Sequence, residues 1–322
     1  MNNRRLTLII NPHSGTLSKR DIERWIPGRI ERFGYKVVVR HTACPGDATR
    51  IAAECAANGD YGVLACGGDG TINEVAAGLV GTDTVMGILP AGSGNGFARH
   101  IGIPVDLALS INVLRHNNIV DCDYGTVNGK PFFCTYGVGF DAAVSHRFAR
   151  KHRRGLNSYV QSAIDEFIKY RSARYELIVG GEVIADKAFL VSVCNASQYG
   201  NNAFIAPKAS ISDGLLDVTI VHDGNLLENA WTGVEMLTGS IGNHGNIKVF
   251  RTSSLKIRSE DASEAHIDGE PVVFPGEVDI RCVPGRLKVF VPGKKIKFIP
   301  FLTPAWYTLR EWGVVATRMF RY

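Results

Sequence analysis

Val63-Leu64-Ala65-Cys66-Gly67-Gly68-Asp69-Gly70-Thr71-Ile72-Asn73-Glu74 is the stretch on which the fold turns. An apolar run over Tyr61–Cys66 reads as a buried strand, and a helix-like pattern follows from Thr71 to Leu79. Between them stand three glycines and one aspartate. Glycines at a strand-to-helix turn let backbone N–H groups approach a ligand with no Cβ in the way. The N-terminus of the next helix adds partial positive charge, and the combination suits phosphate oxygens. Asp69 beside a phosphate is repelled, unless a Mg²⁺ lies between them or the carboxylate handles a proton. Taken alone, such a turn is equally compatible with a loop that only needs positive φ.

Two more strand ends carry the same texture. Leu6–Ile10 stops at Asn11-Pro12-His13-Ser14-Gly15, and Met86–Leu89 opens into Pro90-Ala91-Gly92-Ser93-Gly94-Asn95-Gly96 before a helical start at Phe97–Arg99. Three such ends predict one crevice at the carboxyl edge of a parallel sheet, where open α/β sheets bind ligands. The surrounding periodicity agrees. Strand-like pieces at 5–10, 35–40, 61–66 and 85–89 alternate with helical pieces at 18–33, 46–58, 71–80 and 105–116, which implies βαβ units. After about Asp123 strand-like runs dominate, at 124–127, 132–136, 173–179, 187–194, 216–222, 246–250, 254–259, 278–283 and 287–291, with one helical stretch near 155–171. The expected architecture is an α/β nucleotide-binding domain over 1–123 and a mostly antiparallel β-sandwich over 124–300. In a tail over 301–322, Trp306, Leu309, Trp312, Ala316 and Met319 share a helical face, read as packing on the chain's own domain in preference to a membrane interface.

Composition narrows the setting. With 322 residues, 45% hydrophobic and 21% charged, the chain is long enough for two cores and ordinary for a globular protein. Seven scattered cysteines without a C-x-x-C pair read as reduced thiols in a cytoplasmic protein. Arg4-Arg5 precede too few apolar residues for a signal peptide, and no apolar run reaches the roughly 20 residues that span a bilayer. The net charge of +5 names no partner by itself, but His146–Gly155 packs five Arg/Lys into ten residues. Such a cluster attracts anionic headgroups by about 1 kcal/mol per basic residue, or is a solvated helix end. No nucleic-acid motif accompanies it.

The motifs resemble those of the lipid kinase family that holds diacylglycerol kinases, their bacterial relatives, sphingosine kinases and ceramide kinases. Asn11–Gly15, Gly67–Thr71 and Leu89–Asn95 look like its nucleotide motifs. Ile205–Ala209 with Ser212–Val218 is similar to its second-domain signature, and His266-Ile267-Asp268-Gly269-Glu270-Pro271 to its catalytic element. The resemblance runs in order over about residues 5–300. It implies ATP and Mg²⁺ as cofactors and a hydroxyl of a membrane lipid, of the sphingoid-base or diacylglycerol class, as acceptor. Asp268 would be the general base supported by Glu270; Asp69 and Asp123 would join the Mg²⁺ network. ATP contacts carry over to Asn11, Thr42, Gly67, Gly68, Asp69, Gly70, Thr71, Ile72, Asn73 and Ser93. Asp141 falls near an acidic residue that sphingosine kinases use for the amino group of the base, and a structural metal position maps to Ser210, Asp213 and Leu215. An anionic membrane inner face is the implied peripheral partner, with a homodimer left open. Read without the resemblance, Asp268-Gly269 is equally a hairpin turn, Asp123 a polar boundary residue, Thr42 a cap, and Ser210–Leu215 an Asp-Gly turn.

Two positions depart from the pattern. Thr16 stands where many bacterial members have a lysine, so phosphate charge compensation has to come from elsewhere. Gly96 stands where diacylglycerol-type members place an aspartate, and Gly92–Asn95 looks more like the sphingosine kinase version. A soluble-metabolite kinase of the NAD-kinase type shares the Gly-Gly-Asp-Gly turn but not the downstream elements, and a catalytically weak lipid-sensing module is the other alternative. A dinucleotide oxidoreductase would want G-x-G-x-x-G after the first strand. Asn11–Gly15 does not supply it.

Overall fold

The computed structural model of the chain describes residues 4–12, 19–150, 156–167, 169–242, 245–259 and 264–293. Its first part alternates β1 (Arg4–Ile10), α1 (Lys19–Glu31), β2 (Tyr35–His41), α2 (Asp47–Ala57), β3 (Gly62–Gly67), α3 (Asp69–Leu79), β4 (Val85–Pro90), α4 (Gly96–His100) and α5 (Leu107–Ile111). The strands lie parallel in the order β4-β3-β1-β2. Leu6, Leu8, Ile9, Ile10 and Val63–Cys66 are all buried. A strand covered on both faces is apolar at every position instead of every second one, which is why these runs read as continuous. Ile51, Val75 and Leu79 of α2 and α3 cover one face; Ile22 and Ile26 of α1 and Leu107 of α5 cover the other.

The second part holds β5 (Ile119–Val127), β6 (Lys130–Phe132), β7 (Thr135–Gly139), α6 (Phe140–Ala149), α7 (Leu156–Phe167), β8 (Ala173–Val179), β9 (Glu182–Cys194), β10 (Leu216–His222), α8 (Leu226–Thr238), β11 (Ile247–Thr252), β12 (Ser254–Ser259), β13 (Glu264–Ile267), β14 (Glu270–Val273) and β15 (Val278–Phe290). Antiparallel pairs run in the order β14-β13-β7-β9-β8-β12-β15, with β10 between β9 and β11. The predicted combination of a parallel α/β part and an antiparallel β-sandwich is therefore present. Strand β5 runs through residue 123, and β15 returns beside it. The end of β15 pairs Val289 with Met86 in parallel, so Leu287, Val289 and Phe290 fill the first part's cores.

The local differences have physical causes. The runs 278–283 and 287–291 belong to one strand, β15, interrupted by a bulge where Gly285 takes φ +60°. Helix α3 begins at Asp69, two residues before its apolar period does. Helices α6 and α8 were not foreseen. Asp141 and Ser145 are buried in α6 along with Ala142 and Val144, which blurs its apolar stripe. Helix α8 has its polarity reversed: Thr232 and Glu235 are buried, while Leu227 and Trp231 are 80% and 60% exposed. His13–Gly15, Thr16, Lys151–Gly155 and the tail over 301–322 lie outside the described residues. Among the described residues, no helix is long and apolar enough to cross a membrane.

Candidate active site

The Gly-rich turns after β3 and β4 lie backbone against backbone. A Cβ on Gly92 would stand 2.5 Å from the Gly68 Cα, so only glycines permit the approach. Asp69 opens α3 and turns its carboxylate toward the β4–α4 turn. Its Oδ2 accepts the Asn95 N–H at 2.8 Å, and its Oδ1 the Gly96 N–H at 2.7 Å. Burial raises its pKa, against those amide donors and the positive charge of Arg99. Asn95, in the left-handed region at φ 55°, closes the turn by donating to the Gly92 carbonyl at 2.8 Å. From β1, the Asn11 amide donates to Thr71 Oγ1 at 3.1 Å. Thr71 and Ile72 are buried, Ile72 within the core; Thr42 is buried after β2, and Gly70 and Ser93 are exposed at the rim beside half-buried Asn73.

Sequence reasoning missed three supports of these turns. Glu74 accepts the Gly46 and Ala48 N–H groups, which ties α3 to the start of α2. Arg99 donates to the Gly94 carbonyl at 2.9 Å and to Asn202 Oδ1 at 3.0 Å, which brings a cation behind the turn. Gly96 has its own reason for being glycine: a Cβ there would stand 3.0 Å from the Tyr199 carbonyl oxygen. The segment that fills that space comes from the second part of the chain, a hundred residues away, and no local signal announces it.

Asp268 and Gly269 form the turn between β13 and β14, with φ 50° and 85°. The Asp268 carboxylate is held by a fan of amides. Oδ1 accepts from Cys134 at 2.7 Å and Thr135 at 2.8 Å, and Oδ2 from Phe133 at 2.9 Å. Burial pushes its pKa up to about 6 in spite of these donors. Glu270 is exposed, and its Oε1 lies 3.8 Å from where a Cβ on Gly70 would be. The hairpin tip therefore faces the N-terminus of α3. Cys134 lies between the two acidic groups: burial first, then the charges of Asp268 and Asp69, hold its thiol protonated.

Asp123 lies on β5. Its carboxylate accepts the Gly214 and Gly285 N–H groups, both at 2.7 Å, and its own N–H donates to the Ile211 carbonyl. It joins the β15 bulge to the Ser210–Leu215 loop. In that loop the Asp213 side chain has protein partners. Asp213 Oδ1 accepts the Leu215 N–H, and Oδ2 pairs with Arg251 at 3.2 Å. The same guanidinium reaches Asp217 Oδ1 at 3.2 Å and the Lys208 carbonyl at 2.5 Å, so one arginine ties Asp213 to both flanks of the loop. Among the described residues, no group of three or more His, Cys, Asp or Glu could hold a metal ion.

Asp141, at the start of α6, is 6% exposed. Its Oδ2 accepts the Tyr199 hydroxyl at 2.8 Å and faces His266 Nε2 at 3.1 Å, while Oδ1 accepts the Ala142 N–H. The pair crosses over Gly137, which neighbours His266 on β13; a Cβ on Gly137 would lie 2.3 Å from Asp141 Oδ2 and 2.4 Å from His266 Nε2. Gly137→Ala is accordingly expected to cost about 2–3 kcal/mol and to lower Tm by roughly 3–5 °C. An unchanged Tm in thermal unfolding would contradict this packing.

Comparison with known proteins agrees with the geometry. Residues 5–127 match the family model of the diacylglycerol kinase catalytic domain, and residues 135–291 that of the YegS C-terminal NAD kinase beta sandwich-like domain. A protein of Xanthomonas euvesicatoria pv. vesicatoria described as "Probable lipid kinase YegS-like" is 31% identical over 294 residues, covering 83% of this chain and 90% of that one. A Bacillus subtilis diacylglycerol kinase is 29% identical over 281 residues, 85% of this chain and 92% of that one. A crystal structure of a diacylglycerol kinase from Bacillus anthracis str. Sterne superposes with TM-score 0.73 at 20% identity, covering 91% of this chain and 98% of that one. An NAD kinase from Archaeoglobus fulgidus shares the fold at TM-score 0.51 and 12% identity, over 91% of this chain and 96% of that one.

Proposed function

The chain belongs to the diacylglycerol-kinase-type family of bacterial lipid kinases, and on that premise we propose that it transfers the γ-phosphoryl group of ATP to the hydroxyl of a neutral glycerolipid. One observation carries the reading: the Asp268–Glu270 hairpin tip stands against Gly70, so the acidic element of one part and the glycine turns of the other border the same cleft.

The turns at Gly67–Gly70 and Gly92–Gly96 receive the triphosphate through backbone N–H groups at the start of α3. Arg99 supplies the charge that a lysine at position 16 would otherwise bring. Asp69 and Glu270 put two carboxylates beside those phosphates, an arrangement that suits a divalent cation. Asp69 would hold Mg²⁺, which neutralises charge on the transferring group. Asp268 takes the proton of the attacking hydroxyl. Two amides occupy its Oδ1, whereas Oδ2 accepts one and keeps a lone pair, so the proton goes to Oδ2 as the lipid oxygen bonds to phosphorus and ADP leaves.

The acceptor class follows from Asp141. A sphingoid base would need a free carboxylate for its ammonium group, and that of Asp141 is buried and already accepts from Tyr199, His266 and its own helix. A neutral diol lipid makes no such demand. The bilayer would be met by the outward face of α8, where Leu227 and Trp231 are apolar and exposed. Incubation with labelled ATP and a panel of diacylglycerol, sphingosine, dihydrosphingosine, ceramide and phosphatidylglycerol tests the assignment. Label in phosphatidic acid is the expected result. Label in a sphingoid product would refute the acceptor, and label in no lipid the whole reading.

A further inference from the structure

We propose that His266 is a positioning residue, locked by Asp141 in its Nε2–H tautomer so that Nδ1 holds the turn carrying the general base. The proposal rests on the reading of Asp268 as that base. The Gly269 N–H points at His266 Nδ1 at 3.2 Å, so Nδ1 must offer a lone pair. The ring's one proton then lies on Nε2, facing Asp141 Oδ2 at 3.1 Å. Tyr199 donates to the same oxygen at 2.8 Å and packs edge-on to the imidazole with centroids 6.0 Å apart. Asp141 and His266 are buried and Tyr199 is half-buried beside them, and Gly137 gives the pair its room.

What this line of bonds supports is the one strained residue of the hairpin. Asp268 is a non-glycine residue at φ 50°, a region costly for a residue with a Cβ. Besides the three amides that hold the Asp268 carboxylate, two backbone N–H groups of the turn find partners: that of Asp268 donates to the Thr135 carbonyl at 2.8 Å, and that of Gly269 to His266. Helix α6 grips the same hairpin a second time, where His146 Nε2 lies 3.1 Å from the Ala265 carbonyl and 3.2 Å from that of Val272. Asp141 thus acts on the reaction through His266 and the turn, at one remove from the substrate.

Three variants test it. In Asp141→Asn the amide oxygen takes the Oδ1 place that accepts the Ala142 N–H, so the NH₂ group faces Nε2 and moves the ring proton to Nδ1, where it meets the Gly269 N–H. The other two divide the imidazole: the His266→Asn carbonyl can replace Nδ1 toward Gly269, and the His266→Gln side chain can reach Asp141 but leaves Gly269 unpaired. Ring ¹⁵N spectra of histidine-labelled protein should show one Nε2–H histidine that is absent in both His266 variants and converts to Nδ1–H in Asp141→Asn. On the lipid reaction, kcat should fall on the order of tenfold or more further in His266→Gln than in His266→Asn, with KM for ATP unchanged. Equal kcat in those two variants, or an unchanged tautomer and kcat in Asp141→Asn, overturns the proposal. If Asp141→Asn fails to fold, the His266 pair decides it. The wild-type spectrum does not depend on which lipid is used, so failure of the kinase assignment is distinguishable from failure of the relay.

Discussion

Asp268→Asn is expected to lower kcat by about 10²–10⁴-fold, the range that a positioned base contributes, with ATP affinity nearly unchanged. An amide carries one acceptor oxygen where the carboxylate has two. If that oxygen keeps Cys134 and Thr135, the NH₂ group turns against the Phe133 N–H. A buried donor left unpaired costs about 1–3 kcal/mol, so a moderate fall in Tm should accompany the loss. Calorimetric titration with ATP separates the effects, because an unfolded site binds nothing. Full activity in this variant would remove Asp268 as the base.

The same carboxyl sets the pH response. Its pKa of about 6 lies above the ordinary carboxylate value because burial outweighs the amide donors. A base works ionised, so kcat/KM should be flat in the neutral range and decline tenfold per pH unit below about 6. An acid limb near pH 4 would point to a different group. Stability moves oppositely in this window. With a raised folded pKa, the folded state binds the proton more tightly than the unfolded one, so this group's stabilisation is present at low pH and is lost as pH rises through about 6. Loss of activity on mild acidification is then titration of the base, and this group gives no cause for unfolding.

Gly92→Ala should produce the second large effect, on the nucleotide side. The new Cβ would meet the Gly68 Cα at 2.5 Å and Asn95 Oδ1 at 3.1 Å. The nearest neighbour is backbone, with no rotamer to swing aside, so the two turns must part. Overpacking of this kind costs about 1–3 kcal/mol. Here it falls on the geometry that receives phosphates, and ATP binding should weaken by about tenfold to a hundredfold. Direct titration with ATP in the absence of lipid measures it. Unchanged affinity would mean that the triphosphate does not lie between these turns.

Legibility in the sequence differed from one residue to the next. Asp268-Gly269 was legible as a hairpin turn, and the left-handed turn is what carries the carboxylate to Phe133–Thr135, which no local pattern announces. An acid at 141 was visible from its place after Gly139. Its partners were not, because Tyr199 and His266 are 58 and 125 residues away along the chain. Asp213 carried no local sign of Arg251, which lies thirty-eight residues downstream and pairs with it. Helix α8 was missed since its apolar residues face outward, and burial is what gives periodicity its meaning.

By itself the sequence determined the two-part architecture and the crevice. Continuous apolar runs of strand length ending in glycines are the pattern of buried parallel strands, and the change to dense strand runs marks the sandwich; both are consequences of local period and side-chain size. Only the tertiary structure decided which donors each acid meets: backbone amides for Asp69 and Asp268, an arginine for Asp213, and a tyrosine hydroxyl for Asp141. Asp123, Asp141 and Asp213 resemble Asp69 and Asp268 in any local reading. What an oxygen accepts depends on donors that distant segments bring to it, and no window of sequence contains them.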